Sequence, residues 1–134
     1  MWEVLAESKK YVVSYEYETV SLQIKRKGKE IIIGDFYGDP TTAFISNDES
    51  YCVMGGCGLI IYYLKEPFME YEYYKTTNQW KEIFRKKDEI WWISRIEAGS
   101  SNDSVKFITN PTDDELRKCT YEIDVYSLEV KKVE

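Results

Sequence analysis

Histidine is absent from the 134 residues, and that absence removes more chemistry than any other feature of the chain. Ser-His-Asp and Cys-His nucleophilic catalysis, imidazole metal ligation and imidazole proton shuttling are all excluded. Cysteine is scarce and odd in number, at Cys52, Cys57 and Cys119. Three thiols cannot complete an all-cysteine structural zinc site, and the spacing of Cys52 and Cys57 is wider than the usual close pair, so no metal and no cofactor is expected. A chain of this length can bury a sizeable core without staples, and an odd thiol count then suits a reducing compartment. The opening MWEVLAESKK has neither a basic leader nor a long apolar core, so no signal peptide is expected. The longest unbroken apolar run, residues 59–64, falls far short of a membrane span. These absences predict a cytoplasmic protein without a membrane partner.

Basic clusters are also few. Lys and Arg number 18 against 24 Asp and Glu, for a net charge of −6. The excess is concentrated: residues 1–37 hold six acids and six bases, residues 38–80 six and two, and residues 81–134 twelve and ten. The middle third therefore carries −4 of the total, the opposite of the footprint that a phosphate backbone requires. Nucleic acid is not an expected partner, whereas a basic protein is.

What the chain has in quantity is tyrosine, tryptophan and β-branched residues, with 12 Tyr and 4 Trp. The densest stretch is residues 31–64, which reads as four short strands over 31–36, 42–46, 51–54 and 59–64. Turns fall at Gly38-Asp39-Pro40, Asn47-Asp48-Glu49 and Gly55-Gly56-Cys57-Gly58. The run 59–64 has no polar alternation and predicts a strand covered on both faces. Upstream, Val13, Tyr15 and Tyr17 alternate with Ser14, Glu16 and Glu18, and Val20, Leu22 and Ile24 repeat the pattern before a basic hairpin tip in which Gly28 can take a positive φ. Residues 66–75, with Pro67 and three acids, read as an irregular connection or an edge strand.

From Thr77 the period changes: Trp80, Ile83 and Phe84 fall at i, i+3 and i+4, which predicts a short helix over 78–87. Strands follow over 90–97 and 105–109. A capping-box spacing between Thr112 and Glu115 suggests one or two helical turns. In the last segment Tyr121, Ile123 and Val125 share one parity and Leu128 and Val130 the other, which requires a bulge or turn near Tyr126-Ser127. No fixed-period sequence repeat is visible. The expected fold is a single domain over residues 1–134, mainly β and at the margin α+β, built as an antiparallel sheet or sandwich with one packed helix.

No motif carries catalysis. Gly55-Gly56-Cys57-Gly58 lacks the following Lys-Ser/Thr of a phosphate loop and reads as a tight turn. Asp35 and Asp39 flank Gly38, but their spacing fits no calcium loop, and aspartates so placed more often cap turns. The aromatics exceed what one core of this size easily hides, and exposed Tyr and Trp beside acids suit a protein-binding or sugar-binding patch.

The run GDFYGDPTTAFISNDESYCVMGGCGLIIYYL, with Trp80 after it and the closing YEIDVYSLEV, resembles the small cytosolic immunity proteins that bacteria encode beside polymorphic or contact-dependent growth-inhibition toxins, over roughly residues 31–130. That resemblance implies a non-enzymatic protein that binds the C-terminal domain of one cognate toxin, often a nuclease with a basic active site, and blocks it. It assigns no individual residue. Charge and aromatic content supply the candidates: Asp35, Asp39, Asp48 and Glu49 for charge, and Tyr37, Tyr71, Tyr73 and Tyr74 for contact area. The glycine-rich rhythm around residues 46–56 is also similar to one blade of a β-propeller in strand topology, although a chain this short cannot close a propeller. Two other functions fit the same residues: a small-ligand or glycan-binding β module, and a hydrolase using two converging carboxylates.

Overall fold

The computed structural model describes residues 2–73, 75–86, 90–109 and 120–133. Strands β1 (Glu3–Glu7), β2 (Tyr11–Glu16), β3 (Thr19–Ile24) and β4 (Lys29–Asp35) form a first antiparallel sheet in chain order. The alternation read from the sequence fixes its core face: Val13 pairs with Leu22 and Leu22 with Ile31 on the side that packs into the first core. The basic tip after β3 closes with Gly28 at φ 61°, as the hairpin requires.

The second sheet is β5 (Thr42–Ile45), β6 (Tyr51–Gly56), β7 (Gly58–Tyr63) and β8 (Trp80–Ile83), again antiparallel and in chain order. The third is β9 (Ile93–Ala98), β10 (Ser104–Thr109), β11 (Thr120–Asp124) and β12 (Val130–Lys132). A turn over residues 125–127 separates β11 from β12 and absorbs the parity change. The three sheets stack with the second in the middle. Its even-numbered Cys52, Met54, Ile60 and Tyr62 pack with Val13, Val20, Leu22 and Ile33 of the first sheet. Its odd-numbered Tyr51, Val53, Leu59 and Ile61 pack with Ile93, Ile96, Val105, Phe107 and Ile123 of the third. That is why residues 59–62 are apolar at every position: a strand covered on both faces has no polar parity. Each fully buried Leu or Ile contributes about 1.5–3 kcal/mol, so most of the stabilisation lies against this middle sheet. Cys52 and Cys57 are free and buried within it.

The segment expected as a helix over 78–87 is instead strand β8, which pairs Ile83, Glu82, Lys81 and Trp80 with Leu59, Ile60, Ile61 and Tyr62 of β7. Among the described residues there is no helix. The spacing misleads for a physical reason. Trp80 and Ile83 lie on opposite faces of the strand, Trp80 stacked on Tyr62 in the first core and Ile83 in the second. Two apolar residues three apart are the helical signature on one surface and the signature of a doubly covered strand when there are two. Phe84 ends the strand at φ 62° and stacks on Trp91, ring centroids 3.9 Å apart. Thr77 makes a local turn, its hydroxyl accepting from the Gln79 N–H at 3.1 Å. Residues 112–116 lie outside the described residues.

Each sheet is thus a four-stranded meander with blade-like strand topology, repeated three times. Their first strands are neighbours, β1 beside β5 and β5 beside β9. In the third sheet Lys106 stands opposite both Glu97 and Glu122 in register, and Glu122 opposite Lys131, so opposite charges face one another across the strands.

Candidate functional site

Strand direction brings four widely separated pieces of chain to one end of the stack. Glu18 sits in the turn between β2 and β3, and Asp35, Phe36 and Tyr37 leave β4. Cys57 forms the tip between β6 and β7, and Glu82 to Lys86 leave the far end of β8. With Tyr73 they line an open cleft of about 950 Å³.

Arg85 holds this end together. Its Nη1 donates to the Cys57 carbonyl at 2.9 Å and its Nη2 to the Asp35 carbonyl at 2.7 Å, so one guanidinium ties the first sheet to the second. The guanidinium lies over the Phe36 ring, 4.7 Å from its centroid. Nε is 2.8 Å from Oε1 of Glu82, an ion pair without hydrogen-bond alignment. The same Glu82 oxygen accepts from the Tyr71 hydroxyl at 2.8 Å. Burial first, and Glu82 second, push the Tyr71 phenol above its ordinary range, so it remains a donor. Burial also raises the Cys57 thiol, with Arg85 opposing the shift. Glu18 accepts from the Gly38 N–H at 2.7 Å, and Gly38 turns the chain at φ 81°.

The cleft gathers Asp35, Tyr37 and Tyr73 from the sequence candidates. Tyr37 is 77% exposed and Tyr73 60%. Asp39 is exposed at the same end, two residues beyond Tyr37. Tyr71 is not a surface ring: it is 7% exposed, packs on Trp80, and donates its N–H to the Ile32 carbonyl at 2.8 Å. Tyr74 lies outside the described residues. Asp48 and Glu49 lie at the opposite end of the stack, where both brace turns. Asp48 accepts from the Ser50 hydroxyl at 2.7 Å and the Ser46 hydroxyl at 2.9 Å. Glu49 accepts from the Ser8 hydroxyl at 2.5 Å and the Lys10 N–H at 2.9 Å. These bonds, led by Ser50 for Asp48 and Ser8 for Glu49, hold both carboxyls below the usual range.

Sequence reasoning missed Glu18, Phe36 and Arg85. The alternation carried Tyr17 and Glu18 as part of the strand, whereas Tyr17 is exposed in the turn at φ 56°; the parity switch between Val13-Tyr15 and Val20-Leu22 is the signal that could have placed Glu18 at a strand end. Nothing local to Arg85 announces its three partners. The glycine-rich tip is a tight turn, with Gly56 paired to Gly58 across Cys57 and the Gly58 N–H donated to the Trp91 carbonyl at 2.8 Å. Among the described residues no group of three or more Cys, Asp and Glu side chains is placed to hold a metal ion.

A smaller polar groove of about 260 Å³ lies on the third sheet, around Glu122. Its Oε2 accepts from the Ser100 hydroxyl at 2.5 Å, the Ser104 hydroxyl at 2.6 Å and the Ser100 N–H at 3.0 Å. Led by the Ser100 hydroxyl, these bonds hold its carboxyl at about 2.

The chain matches no protein-family model, and no curated protein is detectably similar to it in sequence.

Proposed function

We propose that this chain is an immunity protein that binds the C-terminal domain of a cognate bacterial toxin, a basic nuclease, and blocks it by occlusion in the cytoplasm. The observation that carries the reading is the cleft with Tyr37 and Tyr73 exposed beside Asp35, on a base that Arg85 fastens across two sheets. Exposed tyrosines offer contact area at low entropic cost, and carboxylates steer a basic partner. The net charge of −6 acts in the same direction at longer range. Two of the three carboxylates described in the cleft lining have structural partners: Glu82 is held by Arg85 and Tyr71, and Glu18 by Gly38.

A glycan or small-ligand module remains the competing reading, because about 950 Å³ with exposed aromatic rings is also the size and lining of a ligand pocket. Co-expression with the toxin-bearing reading frame adjacent to the gene separates them. Immunity predicts that the parent chain restores growth, that the two products co-purify, and that Tyr37→Ala with Asp35→Lys in a folded variant loses protection. Protection by a variant that no longer binds the toxin rules out occlusion. Absence of any protection, together with calorimetric binding of a neutral oligosaccharide, transfers the reading to the glycan module, and release of sugar from that oligosaccharide to the hydrolase.

A further inference from the structure

The basic hairpin tip after β3 has no part in the cleft, and folding adds further cations to it. Residues 1–37 hold six acids and six bases, but the strands of the first sheet sort them. All six bases, Lys9, Lys10, Lys25, Arg26, Lys27 and Lys29, fall in or beside the β1–β2 and β3–β4 turns, whereas Glu3, Glu16, Glu18 and Asp35 fall at the other end of the sheet. The two turns touch: the Lys25 N–H donates to the Lys10 carbonyl at 3.0 Å, and Tyr11, Ile24 and Lys29 stand side by side in register. The exposed cations therefore share a front three strands wide, about 10 Å. Lys25 is neutralised by Glu7 at 2.7 Å, and Lys27 by Glu66. Lys9, Lys10, Arg26 and Lys29 have no carboxylate within ion-pair distance among the described residues. The opposing charges beside them are Glu30, which follows Lys29 in β4, and Glu49, whose carboxylate is taken by the Ser8 hydroxyl and the Lys10 N–H.

We infer that this end of the first sheet is a contact surface for the phosphodiester backbone of nucleic acid, bound without regard to base sequence. The average charge of the chain, which argues against such a partner, does not register the sorting of charge by the fold. Acids farther off than a Debye length of about 8–10 Å are largely screened, so the local cations decide the contact. A phosphate backbone asks only for clustered cations free of other partners. A protein partner would need an apolar or aromatic anchor at the centre of the contact, and residues 8–10 and 25–29 contain none. The same lack leaves no ring in these turns on which a base could stack, which confines the contact to phosphates. A planar anionic membrane fits less well. At the turns of the second and third sheets Asp48, Asp103 and Asp124 stand close enough for all three charges to act on the Tyr51 phenol, and a flat surface resting on this end would meet them too. A curved backbone can touch the first sheet alone. The surface lies at the end of the stack opposite the cleft, so the inference does not depend on the immunity reading.

The test uses the full chain and a fluorescein-labelled DNA duplex of arbitrary sequence, followed by anisotropy over a range of salt concentrations. Each phosphate contact contributes about −0.9 to the slope of log affinity against log salt, so the four unpaired cations should give saturable binding with a slope of about −3.6. A second duplex of unrelated sequence should bind equally well. Arg26→Gln with Lys29→Gln should weaken binding at low salt by about tenfold or more and bring the slope to about −1.8, with the parent's melting temperature retained. Arg95→Gln with Lys132→Gln removes the same charge from exposed positions of the third sheet and should leave the affinity within about twofold. Absence of saturable binding at low salt, or a slope near zero, overturns the proposal. Equal losses in the two double variants also overturn it, since binding would then follow net charge alone. Tighter binding to vesicles of phosphatidylserine in phosphatidylcholine than to the duplex would assign the surface to a membrane, and tighter binding to poly-glutamate would assign it to an acidic protein; either result overturns the nucleic-acid assignment.

Discussion

Arg85 shows how much of this end of the protein depends on one side chain. Removing it leaves two carbonyls and the Glu82 carboxylate without their cation, and hydrogen bonds involving a charged group are worth about 1.5–3 kcal/mol each. Arg85→Met should therefore lower stability by about 2–4 kcal/mol in urea denaturation. Arg85→Lys should fall between, because an ammonium can pair with Glu82 but cannot span both carbonyls. A Met variant as stable as the parent would show the tie to be incidental. Glu122 supplies a second test, this time in pH. Its carboxyl is held at about 2 against an ordinary 4.5, so the folded state favours the charged form. The stabilisation is complete above about 4.5 and is lost as pH falls towards 2. Several other carboxyls, Asp48, Glu49, Glu66 and Asp124, are lowered too, so the parent curve alone cannot isolate one residue. The difference between parent and Glu122→Gln can: it should be constant above pH 6, shrink below 4.5 and vanish near 2. A difference that persists undiminished at pH 2 would assign the stabilisation to packing instead of charge.

At the scale of elements, the turns distinguish glycines that are needed for φ from one that is also needed for space. Gly28 has φ 61° with nothing within 4 Å of where a Cβ would sit. Gly58 has φ 81°, and its Cβ would stand 2.7 Å from the Phe84 carbonyl and 2.9 Å from that of Ile83. Gly28→Ala should cost about 1–2 kcal/mol, the left-handed penalty alone. Gly58→Ala should cost clearly more, since backbone must move and Arg85 with it. Thermal melts of the two variants side by side decide this, and equal losses would contradict it. The strands themselves were largely legible, because Val13-Tyr15, Val20-Leu22-Ile24 and Tyr121-Ile123-Val125 alternate cleanly against one core. Strand β8 was not, because a strand between two cores shows apolar residues on both parities. Tyr71 was misplaced for a different reason: it shares its parity with the exposed Tyr73, but the segment is not a strand, and Tyr71 is drawn in alone against Trp80, with its N–H on the Ile32 carbonyl 39 positions away in the sequence. The threefold meander left no sequence period because the connections between sheets differ in length and the middle sheet needs a different residue pattern from the outer two. The cleft was legible only in part. Tyr37 and Tyr73 stood out as surplus aromatics, but no local pattern could join them to Glu18 and Arg85.

For the whole molecule, the doubly covered middle sheet makes the two cores interdependent. Ile61 is fully buried and faces the third sheet. Ile61→Asp places an unpaired carboxylate there and should cost about 3–5 kcal/mol, enough to unfold a domain of ordinary stability. The effect should reach the other core: fluorescence of Trp80, which lies on the first-sheet side, should report the same transition midpoint as a probe in the third sheet. Two separate midpoints would mean that the sheets melt independently.

Every strand pairing within the three sheets joins neighbours in sequence, and this has a consequence for the order of events on the ribosome. Register can be found hairpin by hairpin as the chain emerges, without waiting for distant partners. The exception is the face formed by Val53, Leu59 and Ile61, whose cover, β9 to β12, is translated last. At about 5–20 residues per second, those last strands take roughly 2–8 s to appear. For that interval the nascent protein carries a finished sheet with one bare apolar side, the period in which association with another nascent chain, or protection by a chaperone, decides its yield.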